Sequence, residues 1–223
     1  MASSILDFLS SRPEDASSRL IAQARKEIED LKQELDASPD PQIERLSAYR
    51  LLASGTLQKE PRERGKWDLA NQLLFDALLN QTPLDFDFIR RLNSVLRGEE
   101  AQLRTVPIYA CGETYLAPEE LPQALACLEK DILLESDSLV RASRIYIWTI
   151  CAHPFLDANG RTARLAADYV LLAAGYLPLC FHSTVNSHVG WTQERRGRSM
   201  DESILKCLHA IIHAYHLVLG RLS

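Results

Sequence analysis

Basic residues are in the minority. The 25 Lys and Arg stand against 30 Asp and Glu, a net charge of −5, with an isoelectric point of about 5.7. No overall basic footprint marks the chain as a nucleic-acid binder. The N-terminus, Met1 to Ser11, lacks a positively charged stretch leading into a long apolar core. Neither a signal peptide nor a membrane span is expected. The five cysteines (111, 127, 151, 180 and 207) are widely spaced, with no CxxC pair. That spacing speaks against a disulfide or zinc framework and fits a reducing, cytoplasmic compartment, where buried Cys acts as a small hydrophobe. What is present is 46% apolar residues in a chain of 223, enough for one domain with a substantial core, or a core with an accessory lobe.

The densest chemistry lies in His153-Pro154-Phe155-Leu156-Asp157-Ala158-Asn159-Gly160-Arg161-Thr162-Ala163-Arg164. Nearly all-apolar stretches flank it, Ile145 to Ala152 upstream and Leu165 to Gly175 downstream. Polar groups between two core segments are costly unless they find partners, so a site is the better reading than packing. Pro154 biases His153 away from the α region, which ends the upstream helix there and leaves His153 on a loop. Asp157 and Asn159 are candidate N-caps of the downstream helix. Gly160 lets backbone N–H groups approach a ligand, and a helix N-terminus is a natural phosphate site. Arg161 and Arg164 can clamp phosphate oxygens from neighbouring faces of the first turn. Asp157 offers a hard oxygen suited to Mg²⁺, and His153 is the obvious general base. Together these groups point to transfer of a phosphate-containing group.

The stretch resembles the signature of the Fic (filamentation induced by cAMP) family, H-x-F-x-[D/E]-[G/A]-N-[G/K]-R-x-x-R, at His153, Phe155, Asp157, Ala158, Asn159, Gly160, Arg161 and Arg164. Leu92 to Gly98 resembles the family's "lH..L..G" segment, and Val106 to Leu134 its flap hairpin and following helix. The resemblance implies a Mg²⁺-dependent transfer of AMP from ATP to a protein hydroxyl. His153 would deprotonate the acceptor and Asp157 would hold Mg²⁺. Ala158, Asn159 and Gly160 would line the anion nest, with Arg161 and Arg164 on the β- and γ-phosphates and Phe155 anchoring the loop. The flap, with Ile108, Tyr109, Gly112, Thr114 and Tyr115, would pair with an extended segment of the target protein; a purely structural hairpin is the other reading. UTP or a CDP-linked alcohol such as CDP-choline remains open as donor, as does a catalytically silent binding module. A Doc-like kinase fits less well, because Gly160 stands where that group often carries Lys. A bacterial effector secreted into a host cytosol and a housekeeping modifier would look alike.

Along the chain, residues 14–35 read as an amphipathic helix with Leu20, Ile21, Ala24, Ile28, Leu31 and Leu35 on one face. Ser38-Pro39-Asp40-Pro41 breaks it, and a second helix is expected from about Gln42 to Ala53. Thr56 to Pro61 approaches the inhibitory pattern of many Fic proteins, [S/T]-x-x-x-E-[G/N]. Thr56 and Glu60 fit it, but Pro61 does not. Ser10 to Glu14 is a second near-match, spoiled by Asp15; both glutamates also read as solvated loop carboxylates. With no match after the core, inhibition by an antitoxin-like regulatory partner chain, or none, stays open. Helices are expected over 66–80, 85–97 and from about Pro118 to Leu134, with a short hairpin over Val106 to Tyr115. Tyr146, where many family members have His, reads as packing. His209, His213 and His216 have metal-compatible helical spacing without an HExxH carboxylate, and Arg195-Arg196-Gly197-Arg198 reads as a basic loop.

The expected fold is all-α with one small β-hairpin flap. It divides into an N-terminal helical extension (1–65) packed on the core, a Fic-like core (66–185) and a C-terminal helical region (186–223). No nucleic-acid partner is expected, and an oligomer is compatible.

Overall fold

In a computed structural model, residues 5–11, 18–38, 61–110, 113–181 and 199–220 are described. The expected helix at 42–53, Glu14, Glu60, Gly112, His182, His188 and the Arg195–Arg198 loop lie outside these residues. The described elements are α1 (Ile5–Ser10), α2 (Ser18–Asp36), α3 (Pro61–Leu79) and α4 (Phe86–Arg97), then the two-residue strands β1 (Tyr109–Ala110) and β2 (Glu113–Thr114), and then α5 (Leu121–Cys127), α6 (Ser138–Ala152), α7 (Asn159–Ala173) and α8 (Met200–Val218). The chain is mostly helical. Among the described residues no helix is long and apolar enough to cross a membrane.

The core is laid around α6. From Leu139 to Ala152 every residue except Arg141 is buried. Its Ser143 and Thr149 hydroxyls do not oppose this, because they fold back on their own helix: Ser143 Oγ donates to the Leu139 carbonyl at 2.7 Å and Thr149 Oγ1 to that of Ile145 at 2.9 Å, so both are met within the core. Asp137 starts the helix by accepting from the Leu139 and Val140 amides at 2.9 and 3.0 Å, a side-chain cap of the usual kind. Against α6 pack α7, α8 and α1. Trp148 is wholly buried, and its Nε1–H donates to the Ala124 carbonyl at 2.8 Å. Phe86 stacks on Phe155 at 6.0 Å and meets Trp148 edge-on at 6.2 Å. Each such side chain contributes roughly 1.5–3 kcal/mol by burial.

A second cluster joins α3 and α4 to the outer side of α7, through Trp67, Leu74, Phe88, Leu92, Leu96 and Leu165. Helix α4 is well bounded: Asp85 accepts from the Phe88 amide at 2.7 Å, and Gly98 closes the helix at φ 77° with its N–H on the Ser94 carbonyl, a conformation that glycine adopts without a Cβ penalty. Helix α2 buries Ile21, Ala24, Ile28, Leu31 and Leu35 and packs on α8. Leu20, expected on the same face, is exposed. His216 of α8 lies 3.7 Å from Glu27 of α2.

Three elements differ from the sequence expectation. Helix α1 was not expected; it is short, and its packing on α5 and α6 is tertiary rather than periodic. The segment from Pro118 is composite: a 3₁₀ turn (Pro118–Glu120), α5, then a π turn (Leu128–Ile132). The alternation over Val106 to Tyr115 yields only two paired residues per strand, Tyr109 opposite Thr114 and Ala110 opposite Glu113.

Asp168 of α7 is buried and accepts from the Leu179 amide at 2.9 Å, which ties the segment after α7 back onto the helix. Burial pushes its carboxyl up to about 7, against that hydrogen bond and the Arg164 charge. The unfolded chain loses this proton at about pH 4, so the folded state binds more protons between the two values. Stability from this group is complete below the unfolded pKa and is lost as pH rises through the folded one. Urea unfolding at about pH 5 and about pH 8 should show Asp168→Asn gaining on the parent chain at the higher pH. An identical pH dependence in both would contradict this.

Candidate active site

The turn between α6 and α7 carries two non-glycine residues at positive φ. His153 ends α6 at φ 50°, its N–H on the Thr149 carbonyl at 3.2 Å. The α-helix does stop before Pro154, but through a left-handed residue rather than an extended one. Ala158 precedes α7 at φ 62°. Such conformations cost about 1 kcal/mol or more for a residue with a Cβ and persist only where the surroundings hold them.

The holding contacts are specific. Asn159 donates from Nδ2 to the Phe155 carbonyl at 2.8 Å and accepts at Oδ1 from the Phe155 amide at 3.0 Å, so both ends of its amide are used on one residue of the turn. The expected N-caps are therefore corrected. Ala158 is the capping residue, with no side-chain bond; Asn159 has turned back to the loop, and Asp157 Oδ1 accepts from the Ala158 amide at 2.6 Å. Gly160 lies inside α7 with ordinary helical backbone. What it supplies is the missing side chain, not an unusual φ.

Asn93 of α4, which sequence reasoning did not single out, holds the turn from the other side. Its Nδ2 donates to the Asp157 carbonyl and to Thr162 Oγ1, both at 2.9 Å, and Thr162 Oγ1 donates to the Ala158 carbonyl at 2.9 Å. A polar residue on the otherwise apolar inner face of α4 was the available signal. Arg104, also missed, is 3% exposed and hydrogen-bonds to the carbonyls of Ala152, His153, Val106 and Leu116. Burial lowers its pKa and Glu119 opposes that shift.

His153, Asp157, Ala158, Asn159, Gly160, Arg161 and Arg164 line one pocket of about 320 Å³. The imidazole is nearly buried, its Nδ1 3.4 Å from the Ile150 carbonyl. The ring of Tyr115 lies over it at 3.9 Å and a 31° tilt. Of the expected docking residues, Tyr115 is buried on His153, whereas Tyr109 is the exposed aromatic of the hairpin and Ile108 is half-buried. Thr114 takes part through its backbone pairing with Tyr109.

The guanidiniums sit over the start of α7. Arg161 Nη2 is 3.9 Å from Asp157 Oδ2. Arg164 reaches inward to Tyr146, whose hydroxyl burial pushes well above its ordinary pKa while the charge and hydrogen bond of Arg164 act against the shift. Tyr146 also packs on Phe181 at 5.1 Å, so it is both a packing residue and a polar support for Arg164. The first N–H groups of α7 have no carbonyl partner within the helix, and the first helical bond runs from Thr162 N to the Ala158 carbonyl at 2.9 Å. With two guanidiniums, a positive helix end and one carboxylate, the pocket is suited to an anion with several oxygens.

A larger groove, about 490 Å³, lies beside α2 and the start of α6. Its charged groups are engaged with one another, Arg25 with Asp137 and Tyr176 with Glu29, and it holds no comparable set of groups directed at a ligand.

A model of the Fic/DOC family matches residues 83–171. Protein adenylyltransferase fic-1 of Caenorhabditis briggsae is 32% identical over 85 residues, which cover 36% of this chain and 17% of that protein. Protein adenylyltransferase Fic of Drosophila yakuba is 26% identical over 139 residues, 58% of this chain and 28% of that protein. The chain thus spans less than a third of the length of these curated relatives. Among solved structures, IbpAFic2 covalently tethered to Cdc42 superposes with a TM-score of 0.64 at 21% identity, over 92% of this chain and 72% of that one, a likeness of fold. All seven pocket-lining residues fall inside the matched span, so the pocket lies within a segment that resembles the Fic/DOC family.

Proposed function

We propose that the chain is a protein adenylyltransferase that moves AMP from ATP to a Ser, Thr or Tyr hydroxyl of a target protein. One observation carries the reading: an imidazole, a carboxylate, two guanidiniums and a helix N-terminus line a single pocket. That is the set needed to take a proton from a hydroxyl and to stabilise a phosphate leaving group.

With Nδ1–H directed at the Ile150 carbonyl, Nε2 of His153 is the nitrogen that accepts the hydroxyl proton. The hydroxyl oxygen forms its bond to the α-phosphorus as the bond from that phosphorus to the bridging oxygen breaks, and pyrophosphate departs with the electron pair. Arg161, Arg164 and the N–H groups opening α7 take the negative charge that develops on the departing oxygens. Asp157 fits Mg²⁺ as a single hard oxygen ligand at the pocket edge. Among the described residues no group of three or more His, Cys, Asp or Glu could hold a metal without substrate, which suits an ion that completes its shell with phosphates and water. When bound, Mg²⁺ supplies neutralisation of phosphate charge. The hairpin from Ile108 to Tyr115 offers backbone for an extended target segment, and the structure of IbpAFic2 tethered to Cdc42 supports a protein as acceptor. UTP and CDP-choline remain alternative donors, because the pocket features named here recognise phosphates rather than a base. The N-terminal region and an inhibitory Glu60 would bear on regulation, by this chain or a partner.

The test is intact-mass measurement after incubation with Mg²⁺ and, separately, ATP, UTP or CDP-choline. A gain of one AMP with ATP is expected, falling about 10²- to 10⁴-fold in rate for His153→Ala. A gain with another donor only would change the donor, and none with any donor, in a chain that still binds a target, would favour a silent module. Arg164→Ala should weaken ATP binding about tenfold while leaving AMP binding within about twofold, because a charge-assisted contact to an outer phosphate is worth about 1.5–3 kcal/mol. Calorimetry showing equal losses for both nucleotides would remove Arg164 from that role.

A further inference from the structure

We propose that Arg104 is a positioning residue for the transfer reaction, fixing the general base relative to the hairpin on which the acceptor would lie. The inference rests on the reading of His153 as base.

Arg104 touches three separate stretches through backbone carbonyls. Its Nε donates to His153 at 2.7 Å and its Nη2 to Ala152 at 3.3 Å, both at the end of α6. Nη1 donates to Val106 at 3.0 Å on the segment leading into the hairpin, and Nη2 to Leu116 on the segment leaving it. The Arg104 amide adds a bond to the Pro154 carbonyl at 2.9 Å. One planar fork therefore ties both sides of the hairpin to the residue that carries the imidazole.

A cation at a helix C-terminus commonly serves only to meet the last carbonyls. Two observations go beyond that. His153 is left-handed at φ 50°, and the Arg104 bonds to the carbonyls on either side of that residue's backbone turn are what hold it there. Tyr115, next to Leu116, lays its ring on the imidazole at 3.9 Å. The hairpin thus reaches the base twice, through the backbone by Arg104 and through the ring by Tyr115. A strand seated on the hairpin and the His153 imidazole then share one frame. Lysine cannot reproduce the arrangement, because an ammonium offers a point charge without the fork.

The experiment uses the full chain. Arg104→Lys should retain its circular dichroism and bind ATP with Mg²⁺ within about twofold of the parent, while the rate of AMP transfer falls about tenfold to a hundredfold through a change in kcat, as expected when reacting groups are misplaced by an ångström or less. The His153 ring resonances, read by histidine-selective labelling, should shift or broaden. An unchanged rate, or ATP affinity lost in proportion to rate, overturns the proposal. Should Arg104→Lys fail to fold, Tyr115→Leu tests the second link: kcat should fall with ATP affinity kept, and an unaltered kcat overturns the coupling. If the parent chain yields no adduct with any donor, the transfer reading fails separately. The His153 ring spectrum of Arg104→Lys then decides the positioning role alone, and an unchanged spectrum overturns it.

Discussion

Closure of the Asn159 amide on both backbone groups of Phe155 is the contact on which the rest of the site depends. It forces the chain leaving α6 to turn within a few residues, and it places the first N–H groups of α7 beside His153. Phe155, wholly buried and stacked on Phe86, fixes the same turn to the core. Replacing the amide with a group unable to donate and accept together would leave a buried N–H or carbonyl unmet, at a cost of about 1–3 kcal/mol. The shape of the pocket therefore rests on one side-chain amide and one aromatic ring.

The surrounding elements supply supports from three directions. From α4, Asn93 fixes the Asp157 carbonyl and the Thr162 hydroxyl. From the segment before the hairpin, Arg104 fixes His153. From α6, Tyr146 supports the inner side of Arg164 by a hydrogen bond, and from α7 the buried Asp168 feels the Arg164 charge. His153, the Asp157 backbone and Arg164 are thus each backed by a side chain on another element, the kind of support that holds a site to within a fraction of an ångström. The two positive-φ residues, His153 and Ala158, are the local strain this packing sustains.

The pocket was legible in the sequence because its chemistry is contiguous: every lining residue falls between His153 and Arg164, so a local pattern contains it. The helices α2, α3, α4 and α6 to α8 were legible in kind from apolar spacing and capping residues. Asn93, Arg104 and Tyr115 as supports were not, because each acts on a residue far along the chain, 64 positions away for Asn93 and Asp157 and 49 for Arg104 and His153. No periodicity encodes such a contact. The cap of α7 was misassigned for a different reason: Asn159 is a good capping residue by type, but its side chain is captured four residues back by Phe155, a local bond that competes with the cap. Tyr115 was read with the hairpin because it lies in the alternating run, and only the fold turns its ring onto the imidazole.

We propose that this turn is a preformed cradle for the phosphates of a nucleotide. Amide resonances of the ¹⁵N-labelled chain, followed while ATP and Mg²⁺ are added, test it most directly. Saturable shifts concentrated at Ala158, Asn159, Gly160 and Arg161 are expected, with the amides of α2 and α8 unmoved. Shifts absent from these four, or centred on the groove beside Arg25 and Tyr176, would contradict it.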